Sequence, residues 1–121
     1  MPKTLAHVAA GALLALVAAR AMALGIGQVD NRTMLGHPLR FAVELRLDTG
    51  ESLGSECIAV EAHAGEVRIA PSALRWALEP GSDGSSRTLR IASSVPIDEP
   101  VVSLSLQFTC PTRLTRRFVA L

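Results

Sequence analysis

The chain has 121 residues, twelve basic and eleven acidic groups, a formal charge of +1, and only three phenylalanines, one tryptophan and no tyrosine. A near-neutral balance supplies no dense cationic field for nucleic acid, whose binding rests on phosphate neutralisation by clustered cations. So few aromatics also argue against a sugar-stacking module.

The first element is a leader. Lys3 gives a positive n-region, an apolar stretch runs from about Leu5 to Ala19, and Ala21-Met22-Ala23 offers the small-x-small triplet of a signal peptidase site. Cleavage between Ala23 and Leu24 is expected. The stretch is short for a membrane span and Arg20 closes it; an uncleaved anchor is the competing reading. Residues 24–121 are then expected to form one small exported domain. Lys3 is the only lysine, so the mature part keeps ten basic residues, all arginine, against eleven acids. No second apolar stretch is long enough to span a membrane, so none is expected in the mature chain.

Gly25 and Gly27 open the mature chain, either as a flexible, close-packing segment or as a disordered terminus. Leu39, Phe41, Val43, Leu45 and Leu47 then alternate with Arg40, Ala42, Glu44, Arg46 and Asp48, which predicts a strand with one apolar face. Shorter strands are predicted over Cys57 to Glu61, Glu66 to Ala70, Leu74 to Leu78, Arg87 to Ser93 and Arg116 to Leu121. Pro71-Ser72 could instead begin a helical turn through Trp76. Val102, Leu104, Leu106 and Phe108 alternate with serines and Gln107, a second clear strand, and Cys110 falls on its inward parity. Turn residues separate these runs at Asp48-Thr49-Gly50, His63-Ala64-Gly65, Pro80 to Ser86 and Pro96 to Pro100. About seven short strands, without an amphipathic helix or an internal repeat, predict an all-β, antiparallel immunoglobulin-like sandwich.

Cys57 and Cys110 are the only cysteines, 53 positions apart. An even count in an exported chain predicts a disulfide, with free thiols or a metal pair as rivals. His37 and His63 lack ligand-like spacing, and no metal or cofactor is expected. The bond would close a loop worth roughly 4 kcal/mol by chain entropy, an upper figure.

Two parts of the chain carry a family resemblance. Ala23-Leu24-Gly25-Ile26-Gly27-Gln28-Val29, followed by Leu35-Gly36-His37-Pro38-Leu39-Arg40-Phe41-Ala42-Val43-Glu44-Leu45, resembles the start of the N-terminal periplasmic domain of FimV-type proteins. Arg90 to Val101, ending Pro96-Ile97-Asp98-Glu99-Pro100-Val101, resembles the same family's (Ile/Val)-x-Ser-x-x-Pro-(Ile/Val)-x-Glu-Pro motif. Leu114-Thr115-Arg116-Arg117-Phe118-Val119-Ala120-Leu121 resembles its closing strand. The resemblance implies a periplasmic location and a type IV pilus assembly factor of Gram-negative bacteria. In such factors the domain precedes a peptidoglycan-binding LysM module, a membrane span and a cytoplasmic tail, none of which is seen here. Peptidoglycan binding is therefore not carried over.

Candidate contact residues follow from chemistry. Arg113, Arg116 and Arg117 are a basic cluster, readable as a contact for an acidic partner or as a solvated strand edge. Asp98 and Glu99, held between Pro96 and Pro100, are readable as a docking point or a solvated turn. Trp76 reads as core rather than a sugar platform. No nucleophile with a base, paired carboxylates or nucleophile elbow is assembled in the sequence, so no enzyme is expected. The expectation is a non-catalytic domain binding envelope or pilus-assembly proteins through its surface strands and loops. The alternative is a stand-alone secreted or periplasmic β-sandwich binding protein, associated with glycan or peptidoglycan and unrelated to pili.

Overall fold

The computed structural model describes residues 24–120. The leader and Ala23 lie outside the described residues, as does Leu121; Leu24, on the far side of the expected cut, is buried in the core. Eight strands run β1 (Gly25–Asn31), β2 (Pro38–Arg46), β3 (Ile58–Ala64), β4 (Val67–Arg68), β5 (Leu74–Pro80), β6 (Ser86–Pro96), β7 (Val102–Phe108) and β8 (Leu114–Ala120). They form two four-stranded sheets, ordered β1-β2-β6-β5 and β4-β3-β7-β8, with every neighbour antiparallel. That is the A-B-E-D and C′-C-F-G arrangement of an immunoglobulin sandwich.

The alternation of β2 and β7 explains why they sit near the middle of their sheets. Leu39, Phe41, Val43 and Leu45 from β2 face Val102, Leu104, Leu106 and Phe108 from β7, and all eight are buried. Leu89 and Ile91 of β6 complete the same layer. Burying each such side chain contributes on the order of 2 kcal/mol. The sheets meet directly at Phe41 and Phe118, whose ring centroids are 5.4 Å apart. Trp76 pairs with Ile91 and packs half-buried against this core, on an edge strand.

Several elements differ from the sequence expectation: there are eight strands rather than about seven, β3 runs on through His63 and Ala64, β4 is only Val67–Arg68, and β8 begins at Leu114. The Gly25–Gly27 segment is close-packed, as one of the two readings had it, but as a strand: it pairs with β2, with a bulge between Ile26 and Val29. Gly27 belongs there because a Cβ would come within 2.7 Å of the Glu44 carboxylate, which Arg46 holds at 2.9 Å. The Pro71-Ser72 alternatives both contain part of the answer. Pro71–Ala73 is a single 3-10 turn, and β5 begins at Leu74.

The disulfide joins Cys57 to Cys110 with a Cα–Cα distance of 5.4 Å. Immunoglobulin domains cross-link their two sheets, whereas this bond closes the end of two strands in one sheet. It continues the β3–β7 ladder beyond Ile58↔Phe108, where the Thr109 amide donates to the Cys57 carbonyl at 2.9 Å. Both cysteines are half-buried against the rim of the core, so Cys110's inward parity places the bond at the core's end rather than through its centre.

Candidate functional site

The antiparallel register sorts the loops into two ends. One end holds the β2–β3, β5–β6 and β7–β8 connections, the disulfide and the start of β1. The opposite end holds the β1–β2 and β6–β7 loops, the β3–β4 turn, the 3-10 turn and the end of β8. The two ends of β7 lie roughly 20 Å apart at 3.3 Å per residue.

At the second end, the segments that carry the family resemblance meet. The Gly36 amide donates to the Ile97 carbonyl at 2.7 Å, and the Ile97 amide donates to the His37 carbonyl at 2.9 Å. Gly36 reaches this exchange at φ +83°, a left-handed conformation that a side chain would strain. Below it, the Leu39 amide donates to the Ser93 hydroxyl at 2.8 Å, and that hydroxyl donates to the Val95 carbonyl at 2.6 Å. Ser93 is thereby a buried polar group with its hydrogen bonds satisfied. Ile97 is buried, and its side chain plugs the end of the sandwich.

Around this plug the surface is apolar. Met34, Leu35, Val67, Val95 and Val101 are exposed here, among only seven large hydrophobic residues that are exposed in the described part of the chain. Ile97 and Glu99 line two adjoining depressions. One, of about 200 Å³, also takes Leu35 and Pro100; the other, of about 370 Å³, takes Val67 and Val95. Exposed apolar side chains gathered at one end mark contact sites more often than scattered single ones do. Asp98 and Glu99 stand exposed at its rim, with no cationic partner within ion-pair distance among the described residues. Glu99 leans over the β3–β4 turn, near Gly65.

The sequence-selected residues therefore divide. Asp98 and Glu99 lie at this end and share one site. Arg113 lies in the β7–β8 loop at the opposite end, beside the disulfide. Arg116 and Arg117 are on β8 but on opposite faces: Arg116 pairs with Leu106 on the inward side, and Arg117 with Ser105 on the outward side. The structure does not bring the three arginines together. An exposed charge at inward parity on an edge strand is a recognised guard against unwanted strand pairing, and Arg116 has that geometry. The sequence reading missed Met34, Leu35, Val67 and Val95. Their signal was available, since Met34 and Leu35 are large apolar residues in a turn-rich loop outside any alternating run.

What this end presents is an apolar surface rimmed by two carboxylates; the disulfide lies at the other end. Cys57 and Cys110 are bonded to each other, so neither offers a thiolate nucleophile. Among the described residues no helix is long and apolar enough to cross a membrane. No protein-family model matches the chain, and no curated protein matches it. The likeness to FimV-type domains rests on the motifs quoted above alone.

Proposed function

We propose that this domain is a non-catalytic interaction module of the periplasm, and that it holds an envelope protein at the Ile97 end of the sandwich. The observation that carries the reading is the concentration of Met34, Leu35, Val67, Val95 and Val101 around a buried, hydrogen-bonded plug, with Asp98 and Glu99 unpaired at the rim. A partner suited to this surface presents an apolar segment flanked by arginine or lysine. Apolar area supplies the affinity and the carboxylates set orientation and encounter rate. The resemblance to FimV-type proteins directs the search for that partner to type IV pilus assembly.

The test is capture of solubilised envelope proteins by the immobilised domain. Leu35→Asp with Val67→Asp should abolish capture without lowering the thermal midpoint, because both side chains are exposed. Asp98→Lys with Glu99→Lys should weaken capture, and the loss should shrink at high salt. Capture that survives the apolar double substitution sinks the proposed surface. The pilus role has its own test: a clean gene deletion should reduce surface piliation and twitching, and unchanged pili would remove it while leaving the binding surface in question.

A further inference from the structure

The outward face of the β1-β2-β6-β5 sheet carries a second arrangement, made of residues far apart in the chain. Three strands repeat one tripeptide pattern: Arg40-Phe41-Ala42 in β2, Arg75-Trp76-Ala77 in β5 and Arg90-Ile91-Ala92 in β6. In each, the middle residue points to the core and the flanking arginine and alanine point out. Antiparallel pairing then builds a checkerboard. Ala92 lies between Arg40 and Arg75, while Arg90 lies between Ala42 and Ala77. Arg32 extends the first row, its amide donating to the Arg40 carbonyl at 2.9 Å, and Asp30 extends the second opposite Ala42.

Alanines at the alternate positions leave the face low between the guanidinium groups. A depression of about 360 Å³ results, lined by Arg32, Arg40 and Arg90 with Ala42 and Ala92 among its walls and Asp30 at one side. Two of the arginines are already positioned by carboxylates. Asp30 holds Arg32 at 3.1 Å and Glu79 holds Arg90 at 2.6 Å, each through Nε. The terminal Nη fork of both remains free of those contacts, and a guanidinium has five N–H donors in all. Arg40 and Arg75 have no carboxylate within 4.0 Å among the described residues. With the Glu44–Arg46 pair on the same face included, five cations against three anions leave it positive, whereas residues 24–121 carry ten arginines against eleven acids.

We propose that this depression binds a small oligoanion bearing carboxylate or phosphate groups, clamped by Arg32, Arg40 and Arg90 with Arg75 alongside. Planar guanidinium forks match both groups bidentately, which a scatter of lysines would not do. The central strands β2 and β6 have their ladders filled on both sides, so no peptide can add to the sheet here. The floor also offers methyl groups rather than pockets for side chains. A flat, multiply charged small molecule fits that surface better than a folded protein. Arg32 sits in the β1–β2 loop at the Ile97 end, but it lines neither depression there, and Arg40, Arg75 and Arg90 lie on strands, so each proposal can fail without the other.

The experiment is titration calorimetry of the purified domain with trigalacturonate as the carboxylate probe and inorganic tripolyphosphate as the phosphate probe, at about 0.1 M salt. Binding of one and not the other identifies the source chemistry. Arg40→Ser with Arg75→Ser should weaken binding by about tenfold or more. Ala92→Leu should weaken it comparably by filling the floor with no change of charge. Arg113→Ser with Arg117→Ser removes the same charge elsewhere and should leave binding intact. The proposal is overturned if neither probe binds tighter than about 1 mM, if the distant pair weakens binding as much as the near pair, or if a glutamate-rich decapeptide binds tighter than both probes. Unchanged thermal midpoints confirm that each variant is folded.

Discussion

The two ends of the sandwich are built on opposite terms. At one end, Cys57 and Cys110 extend the β3–β7 ladder covalently, and the β5–β6 loop is tied by Asp83, whose carboxylate accepts from the Ser85 amide at 2.9 Å and hydroxyl at 2.7 Å. At the other end, no covalent bond ties the loops. One buried isoleucine and a short exchange of backbone hydrogen bonds hold two loops in place, and five large apolar side chains are left in solvent. The contrast teaches where constraint and function part company in a small domain. A covalent tie at the far end steadies the fold, so the near end can expose surface that the fold does not itself use.

Removing the disulfide should break the comparison most strongly. Cys57→Ala with Cys110→Ala should lower stability by up to roughly 4 kcal/mol, read from the denaturant midpoint. Because the bond constrains the unfolded chain more than the native site, capture at the Ile97 end should persist in whatever fraction stays folded. Loss of capture in a folded double variant would show that the two ends are coupled. Ile97→Ala should come next, costing about 3 kcal/mol for a truncated buried isoleucine and slackening the loops that carry Leu35 and Glu99. Here capture should fall even among folded molecules. A variant that keeps full capture would mean the plug serves stability alone.

The same contrast governs what could be read from the sequence. β2 and β7 were legible because one face is buried and the other wet, which writes period two directly into Leu39 to Arg46 and Val102 to Phe108. β1 was not legible, since the bulge after Ile26 shifts the register and two glycines carry no side chain to alternate. Alternation alone missed the start of β8, which the resemblance over Leu114 to Leu121 included, because Arg116 occupies an inward position that the pattern assigns to an apolar residue. The disulfide was legible from cysteine count and address, but its position within one sheet depends on the pairing of β3 with β7, which spans half the chain. Asp98 and Glu99 could be found because Pro96 and Pro100 mark them. The arginine face could not be found by scanning for clusters, because its members stand at positions 32, 40, 75 and 90 and only the register makes Ala92 the square between Arg40 and Arg75. The repeated Arg-x-Ala tripeptide was the available clue.

The smallest expected effect belongs to the closed end and sharpens the comparison through pH. Asp83 has its pKa lowered from the ordinary value, first by the Ser85 hydroxyl and then by the Ser85 amide, both of which favour the charged carboxylate. A carboxyl that titrates lower in the folded state than in the unfolded one stabilises the fold above its ordinary pKa. That contribution is lost as the pH falls through the lower folded value. Asp83 is fully exposed, so solvent screens it and the effect should be slight. Asp83→Asn should therefore flatten the acid limb of the stability curve a little, below about pH 4, and change nothing near neutrality beyond the loss of a charge-assisted bond. Capture at the Ile97 end, measured at neutral pH, should be untouched by this substitution. If Asp83→Asn instead left the acid limb unaltered, the Ser85 contacts would be incidental to the fold, and the disulfide alone would distinguish the closed end from the open one.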